Sequence, residues 1–250
     1  MIRTALLNVL LAVCAIGTAL AAPVTLDTVN LAGRQRMLGQ RIIKNRIQLA
    51  LRLLPERAGQ QQAESVQAFE TALRELKSQA ISPLAQQLLR EEGEEWQRFL
   101  LLLPAASNAE ALRQLDTEGE KLLASCQALA LVLQDEAGSD AGRKVNLAGR
   151  TRMLSQRMAK YYLLGRVGKL SNSQRDQAEQ TRAELQGAMS GLLAGELVPT
   201  VQRELELGRQ QWFFFDAALN QTNGDPAHVA TSSENLVEVM EKVANLLSRR

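Results

Sequence analysis

Two sixteen-residue blocks of this chain carry an unusual density of arginine. Residues 29–44 read VNLAGRQRMLGQRIIK and residues 145–160 read VNLAGRTRMLSQRMAK, with twelve of the sixteen positions identical. Each block contains three arginines and a lysine but no aspartate or glutamate. A guanidinium group is planar and presents a fork of N–H donors, which fits a planar oxyanion. The uncompensated positive charge therefore predicts a site for a small anion.

The spacing of glycine and arginine within the blocks indicates where such a site would form. Gly33 precedes Arg36 by three residues, and Gly149 precedes Arg152 in the same way. Glycine inside a helix costs about 1 kcal/mol relative to alanine, but it lets a second helix or a ligand approach the backbone. At 100° per residue, Arg36 shares a stripe with small and apolar neighbours. We therefore expect its guanidinium at a helix–helix contact.

A purely structural role for these arginines is the alternative interpretation. Basic helices often present a solvated face or pair with acids from neighbouring helices. The acids that could neutralise the blocks are Glu91, Glu92, Glu94, Glu95 and Glu118. A merely solvated face could vary its residues freely, so the repetition of asparagine, glycine and three arginines at fixed spacing favours binding.

The blocks belong to a duplication that runs through the chain. The offset from Asn30 to Asn146 is 116 residues, and it also carries Trp96 onto Trp212. Strong helix formers are abundant, and prolines and glycines divide each copy into four helical stretches. The predicted helices are 25–53, 57–78, 83–103 and 108–135 in the first copy, and 143–169, 171–195, 199–222 and 227–248 in the second.

The sequence thus predicts an all-α protein built from two tandem four-helix, up-down-up-down bundles related by pseudo-twofold symmetry. The predicted domains are residues 23–137 and 143–250, joined by a linker at 138–142.

The segment NLAGRQRML at residues 30–38 resembles the motif that opens two kinds of sensor domain. These are the sensor domains of nitrate/nitrite sensor kinases (NarX-like) and of type IV pilus chemotaxis transducers (the PilJ-type N-terminal domain). The resemblance covers both copies and implies a four-helix bundle that binds its anion where the first helices of two subunits meet. Such sensors continue into a second transmembrane helix and a signalling module, whereas this sequence ends at Arg250 with neither. We therefore expect binding without intrinsic signalling.

The resemblance also implies roles for individual residues. The arginine three residues after the motif glycine is the main ligand, and it corresponds to Arg36 and Arg152, with Gly33 and Gly149 giving access to the backbone. Further motif positions with weaker claims to contact are Asn30, Arg34, Asn146 and Arg150. By contrast, Arg41 and Arg157 are expected to be structural, since they lie more than a turn beyond the principal arginine.

These observations together predict a periplasmic binding or sensing protein for a small anion, nitrate or nitrite, held jointly by both copies. The alternative is a non-catalytic interaction protein that docks a membrane chemoreceptor, a sensor kinase, a transporter or a pilus-related partner. The aromatic run Trp212–Phe215 fits either function, because four consecutive aromatics spread around a helix. Whole chains could also pair as a homodimer.

Several other classes of function are disfavoured by composition. The only histidine is His228, and the only cysteines are Cys14 and Cys126. A single histidine therefore disfavours both a histidine-based metal site and a histidine-assisted catalytic triad. No nucleophile–base pair or phosphate loop stands out, so we expect no enzyme, no metal and no cofactor. The formal net charge of +2 gives no basic excess for nucleic acid.

The first 22 residues read as a secretory signal peptide. A short positive start ends at Arg3, an apolar stretch follows from Ala5 to Thr18, and Ala19-Leu20-Ala21 is a small-x-small cleavage site. A cleaved signal predicts export to the periplasm. The alternative is a retained membrane anchor, because the apolar stretch is just under the ~20 residues of a membrane span.

Overall fold

The computed structural model of the chain describes residues 24–194, 197–221 and 224–249. The predicted signal peptide, residues 1–22, lies outside these ranges. Within them the secondary structure is entirely helical, without strands, as predicted. The helices are α1 (Leu26–Ala50), α2 (Pro55–Lys77), α3 (Pro83–Leu102), α4 (Ala109–Ala137), α5 (Asp140–Val167), α6 (Asn172–Leu193), α7 (Pro199–Asn220) and α8 (Pro226–Ser248). None of these helices is both long and apolar enough to cross a membrane.

Local sequence signals explain where the helices begin. A hydroxyl, amide or carboxylate side chain accepts a hydrogen bond from a first-turn N–H at most N-termini, which satisfies a donor that has no partner inside the helix. The capping residues are Thr25, Ser82, Asn108, Ser139, Ser171 and Asp225. Proline opens α2, α3, α7 and α8, where its missing N–H costs nothing.

Two helix boundaries differ from the prediction by three residues, and the others agree to within two. α1 ends at Ala50 rather than at residue 53, because Arg52 and Leu54 adopt positive φ angles of 55° and 47° ahead of Pro55. Proline disfavours helical geometry at the residue before it. α5 already begins at Asp140, inside the predicted linker 138–142, because Gly138 closes α4 with a φ of 59° and Ser139 caps α5. The connection between the copies is therefore shorter than predicted.

Helices α1–α4 and α5–α8 form two bundles that pack through their first helices. α1 packs on α2 and α4, α5 packs on α6 and α8, and α3 and α7 pack on α4 and α8. The most extensive helix–helix contact joins α1 to α5, and α5 also contacts α4 while α1 contacts α8. α1 and α5 consequently lie at the centre of the molecule, and both are buried around most of their circumference.

Candidate anion-binding site

The two motif glycines mark the crossing of α1 and α5. A Cβ built on Gly149 would lie 3.4 Å from the Cα of Gly33, and one built on Gly33 would lie 3.7 Å from the Cα of Gly149. Arg36, which follows Gly33, contacts Asn146, which precedes Gly149, and Arg152 contacts Asn30 in the same way. These contacts show that α1 and α5 run in opposite directions at the crossing. The absence of side chains at the crossing lets the backbones approach closely.

Arg36 lies at this crossing and is 1% exposed. Its Nη2 donates to the side-chain oxygen of Asn146 at 2.5 Å and to the backbone oxygen of the same residue at 3.3 Å. Its Nη1 donates to the side chain of Gln127 at 2.6 Å, and its Nε has no hydrogen-bond partner. Burial and the nearby charge of Arg152 lower the pKa of Arg36 to about 9. Arg36 thus remains a buried cation whose partners among the described residues are all neutral.

Arg152 is the pseudo-symmetric counterpart of Arg36 and is fully buried. Its Nη2 donates to the side-chain oxygen of Asn30 at 2.7 Å, and its Nε has no partner. Unlike Arg36, it forms an ion pair, through Nη1 with Glu241 of α8. Burial lowers the pKa of Arg152, and the carboxylate of Glu241 opposes that change. The expectation that the motif arginines lack a counter-ion is therefore wrong for Arg152.

Both guanidinium groups converge on the same point of the crossing. A Cβ on Gly149 would lie 3.1 Å from the Nη2 of Arg36 and 3.4 Å from the Nη2 of Arg152. The corresponding distances from a Cβ on Gly33 are 3.2 Å and 3.8 Å. The structure therefore brings together the four principal residues of the predicted site: Gly33, Arg36, Gly149 and Arg152.

The motif asparagines orient these guanidinium groups. The amide nitrogen of Asn30 donates to Asn245 at 3.0 Å, and that of Asn146 donates to Gln134 at 2.6 Å. These bonds leave each amide oxygen facing the arginine of the other copy. Asn30 and Asn146 thus belong to the site as partners of the arginines.

Arg34 and Arg150 lie away from the crossing. The side chain of Arg34 is 47% exposed, with its Nε 3.9 Å from Glu241. The side chain of Arg150 is 41% exposed and pairs with Glu184 of α6 at 2.7 Å. The structure therefore does not bring these two predicted residues into the buried centre.

The distal end of the first block forms ion pairs with the second copy. Arg41 contacts Glu234 of α8 at 2.5 Å, and buried Lys44 contacts the same carboxylate. Burial lowers the pKa of Lys44 to about 8, although the charge of Glu234 opposes the change. α1 of one bundle is in this way tied to α8 of the other.

The second block makes the reciprocal contacts with α4. Arg157 contacts Glu120 at 2.5 Å, and buried Lys160 contacts Asp116 at 2.5 Å and Glu120 at 2.6 Å. Burial opposes ionisation of Glu120, but the charges of Lys160 and Arg157 outweigh it and lower its pKa to about 2. The two arginines expected to be structural, Arg41 and Arg157, therefore both form ion pairs between the copies.

The acids that the sequence offers as counter-ions are not the ones that pair with the blocks. Glu92 is buried and accepts a hydrogen bond from Gln35 at 2.5 Å, while Glu95 and Glu118 contact Arg98. The carboxylates that do pair with the blocks lie on α4, α6 and α8: Asp116, Glu120, Glu184, Glu234 and Glu241. Glu91, Glu92, Glu94 and Glu95 lie on α3, which packs mainly on α4 and away from the centre, whereas Glu118 lies on α4 and pairs with Arg98 and Lys121.

Comparison with known families agrees with this architecture. Residues 27–116 and 134–234 match the PilJ family, described as the N-terminal region of type IV pili methyl-accepting chemotaxis transducers. The chain belongs to this family. The two matched segments correspond to the two copies, and PilJ domains are sensing and signalling domains rather than enzymes. No curated protein and no solved structure matches the chain, so the resemblance to nitrate sensor kinases rests on the motif alone.

The aromatic run on α7 of this PilJ protein is divided between core and surface. Phe215 is fully buried and Trp212 is half-buried against the second bundle, whereas Phe213 and Phe214 are 69% and 59% exposed.

Cys126 is buried, and burial raises the pKa of its thiol, which keeps it protonated. No group of three or more metal-ligating side chains occurs in the ranges that the structure describes.

Proposed function

We propose that this PilJ-family protein is a periplasmic receptor for one small anion, nitrate or nitrite, held between Arg36 and Arg152. The observation that carries the proposal is the buried guanidinium of Arg36, which has no carboxylate partner in the described part of the chain and faces a second guanidinium across Gly149. The signal peptide predicted at residues 1–22 would direct such a receptor to the periplasm.

The electrostatics of the crossing favour a bound anion. Burying a charge without a counter-ion is costly, and two like charges at short range add to that cost. An oxyanion between Arg36 and Arg152 would offset both penalties and would accept from their two unpartnered Nε groups. Glu241 neutralises only one of the two arginines, so one positive charge at the crossing is left for an anion.

The geometry of the crossing limits the anion to a small one. The helix backbones meet at Gly33 and Gly149, and the surrounding side chains are almost fully buried. A planar ion with acceptor oxygens at its edge matches two guanidinium forks that converge on one point of the crossing. Nitrate and nitrite have this shape.

Calorimetric titration of the intact chain with sodium nitrate, nitrite, chloride and sulfate tests the proposal. We expect nitrate or nitrite to bind with one ion per chain, because both copies contribute to a single site. Two ions per chain would show that each copy binds separately and would contradict the shared site. Absence of binding by every salt would contradict the anion receptor altogether.

A second candidate function is docking of a membrane-bound partner through the exposed aromatic pair on α7. Phe213 and Phe214 contact each other, with ring centroids 5.9 Å apart, and they line a surface depression with Arg209 and Trp212. Adjacent exposed aromatics are typical of interaction surfaces. The partner that fits the family is a chemotaxis transducer, and such docking is compatible with anion binding at the crossing.

A further inference from the structure

The two halves of the arginine site differ by one charge. Arg36 donates a hydrogen bond to the neutral side chain of Gln127 on α4, whereas Arg152 forms an ion pair with the carboxylate of Glu241 on α8. In the fourth helices the two copies are related by an offset of 114 residues, because Glu120 and Glu234 make equivalent contacts with Lys160 and Lys44. Gln127 and Glu241 follow the same offset, so one substitution between the copies produces the difference in charge.

Glu241 lies where the buried pair meets solvent. Its side chain is 27% exposed, and it lines a groove of about 430 Å³ between α1, α2 and α8. One carboxylate oxygen contacts buried Arg152, and the other lies 3.9 Å from exposed Arg34 at the edge of the groove. An anion entering through this groove would pass Glu241 before it reached the guanidinium groups.

The charges at the centre can be counted directly. Arg36 and Arg152 contribute two positive charges and Glu241 one negative charge, which leaves +1. Arg34 lies partly in solvent, where its charge is screened, and Arg150 is neutralised by Glu184. We propose that Glu241 sets this central charge and thereby makes the site selective for a monoanion over a dianion. This inference rests on the anion site proposed above.

Three charge states of the same site test the idea. Glu241→Gln raises the central charge by one, wild type is intermediate, and Gln127→Glu lowers it by one. Glu238→Gln is the matched control, because Glu238 lies one turn earlier on α8, lines the same groove and is 73% exposed in a pair with Lys242. Nitrate and sulfate binding are measured by calorimetry on each folded protein.

We expect Glu241→Gln to raise the ratio of sulfate to nitrate affinity about tenfold or more, because the additional ligand charge meets an additional site charge. Glu238→Gln should leave the ratio unchanged. Gln127→Glu should weaken nitrate binding about tenfold or more, since its new carboxylate would occupy Arg36 through the contact that Gln127 already makes at 2.6 Å. This second variant decides the matter if Glu241→Gln fails to fold.

The outcomes separate this inference from the proposed function. Nitrate binding by wild type with an unchanged ratio in Glu241→Gln, or with an equal change in Glu238→Gln, would overturn the role of Glu241 alone. Sulfate binding by Glu241→Gln when wild type binds neither ion would support the role of Glu241 and overturn the wild-type receptor. Absence of binding by all the proteins would overturn both.

Discussion

Arg36 and Arg152 each donate a hydrogen bond to the asparagine that opens the other's motif. The bond from Arg36 to Asn146 measures 2.5 Å and the bond from Arg152 to Asn30 measures 2.7 Å. Reciprocal bonds of this kind are what a twofold contact between two identical domains would make. In this chain the covalent duplication places both halves in one molecule.

Replacing either arginine should strongly weaken anion binding without unfolding the protein. Arg36→Met and Arg152→Met each remove one of the two guanidinium groups, and a charge-assisted hydrogen bond contributes about 1.5–3 kcal/mol. We expect nitrate affinity to fall roughly 10- to 150-fold in each single variant. The double variant should be scarcely worse, because one guanidinium alone holds the ion poorly. Calorimetry measures the affinities and circular dichroism the fold.

Arg150→Met is the control for these variants, because it removes a motif arginine that lies away from the crossing and pairs with Glu184. It should leave the affinity for nitrate nearly unchanged. Unaltered binding in the Arg36→Met, Arg152→Met double variant would contradict the site.

Adding one methyl group at the crossing should weaken binding. In Gly149→Ala the new Cβ would lie 3.1 Å from the Nη2 of Arg36, which must then shift by a few tenths of an ångström. That nitrogen is held by Asn146 in a buried site, so we expect a measurable loss of nitrate affinity in a folded protein. Gly187→Ala is the matched control, since nothing lies within 4 Å of its Cβ on helix α6. It should keep the affinity and raise stability by up to about 1 kcal/mol. Equal affinities in the two variants would indicate that the crossing is not the binding site.

Glu92 should make the protein less stable as the pH rises toward 8. Burial raises its pKa from 4.5 to about 8, and hydrogen bonds from Gln35 and Cys126 together with the charge of Lys77 only partly oppose this. Between pH 4.5 and about pH 8, the Glu92 carboxyl has lost its proton in the unfolded chain and retains it in the folded chain. The contribution of Glu92 to the free energy of unfolding therefore falls as the pH rises from about 4.5 to 8 and is constant above.

Glu92→Gln removes this dependence. We expect the variant to exceed wild type by about 1 kcal/mol or more in urea denaturation at pH 8, and to differ little near pH 4.5. A constant difference across this range would show that Glu92 does not titrate as its burial requires.

The exposed aromatic pair should matter for partner binding and not for the anion. Phe213→Ser with Phe214→Ser removes apolar surface that is 69% and 59% exposed, so stability and nitrate affinity should change little. Copurification of a coexpressed membrane chemotaxis transducer should be lost. Leu101→Ser is the control, because Leu101 on α3 is 81% exposed in the other copy. Retained copurification in the Phe213→Ser, Phe214→Ser variant would argue against docking through α7.

The sequence alone was sufficient for features that depend on local periodicity and on the repeat. Strong helix formers, capping residues and prolines determine the eight helices of the described residues, and the two Gly-x-x-Arg units are visible because duplication preserved them. Gly33 and Arg36 lie one turn apart on one helix, so their common face follows from helical geometry. Arg34 lies two residues before Arg36 on the same helix and therefore faces elsewhere, as its exposure shows.

Only the tertiary structure determined what surrounds these arginines. Gln127 and Glu241 lie on the fourth helix of each copy, far along the chain from Arg36 and Arg152, and they are related by an offset of 114 residues rather than the 116 of the arginine blocks. Which residue of α4 or α8 faces the crossing depends on how the helices rotate and slide against each other, and that is set by packing throughout both bundles. The neutral partner of Arg36 and the charged partner of Arg152, and with them the net charge of the site, are therefore properties of the assembled fold.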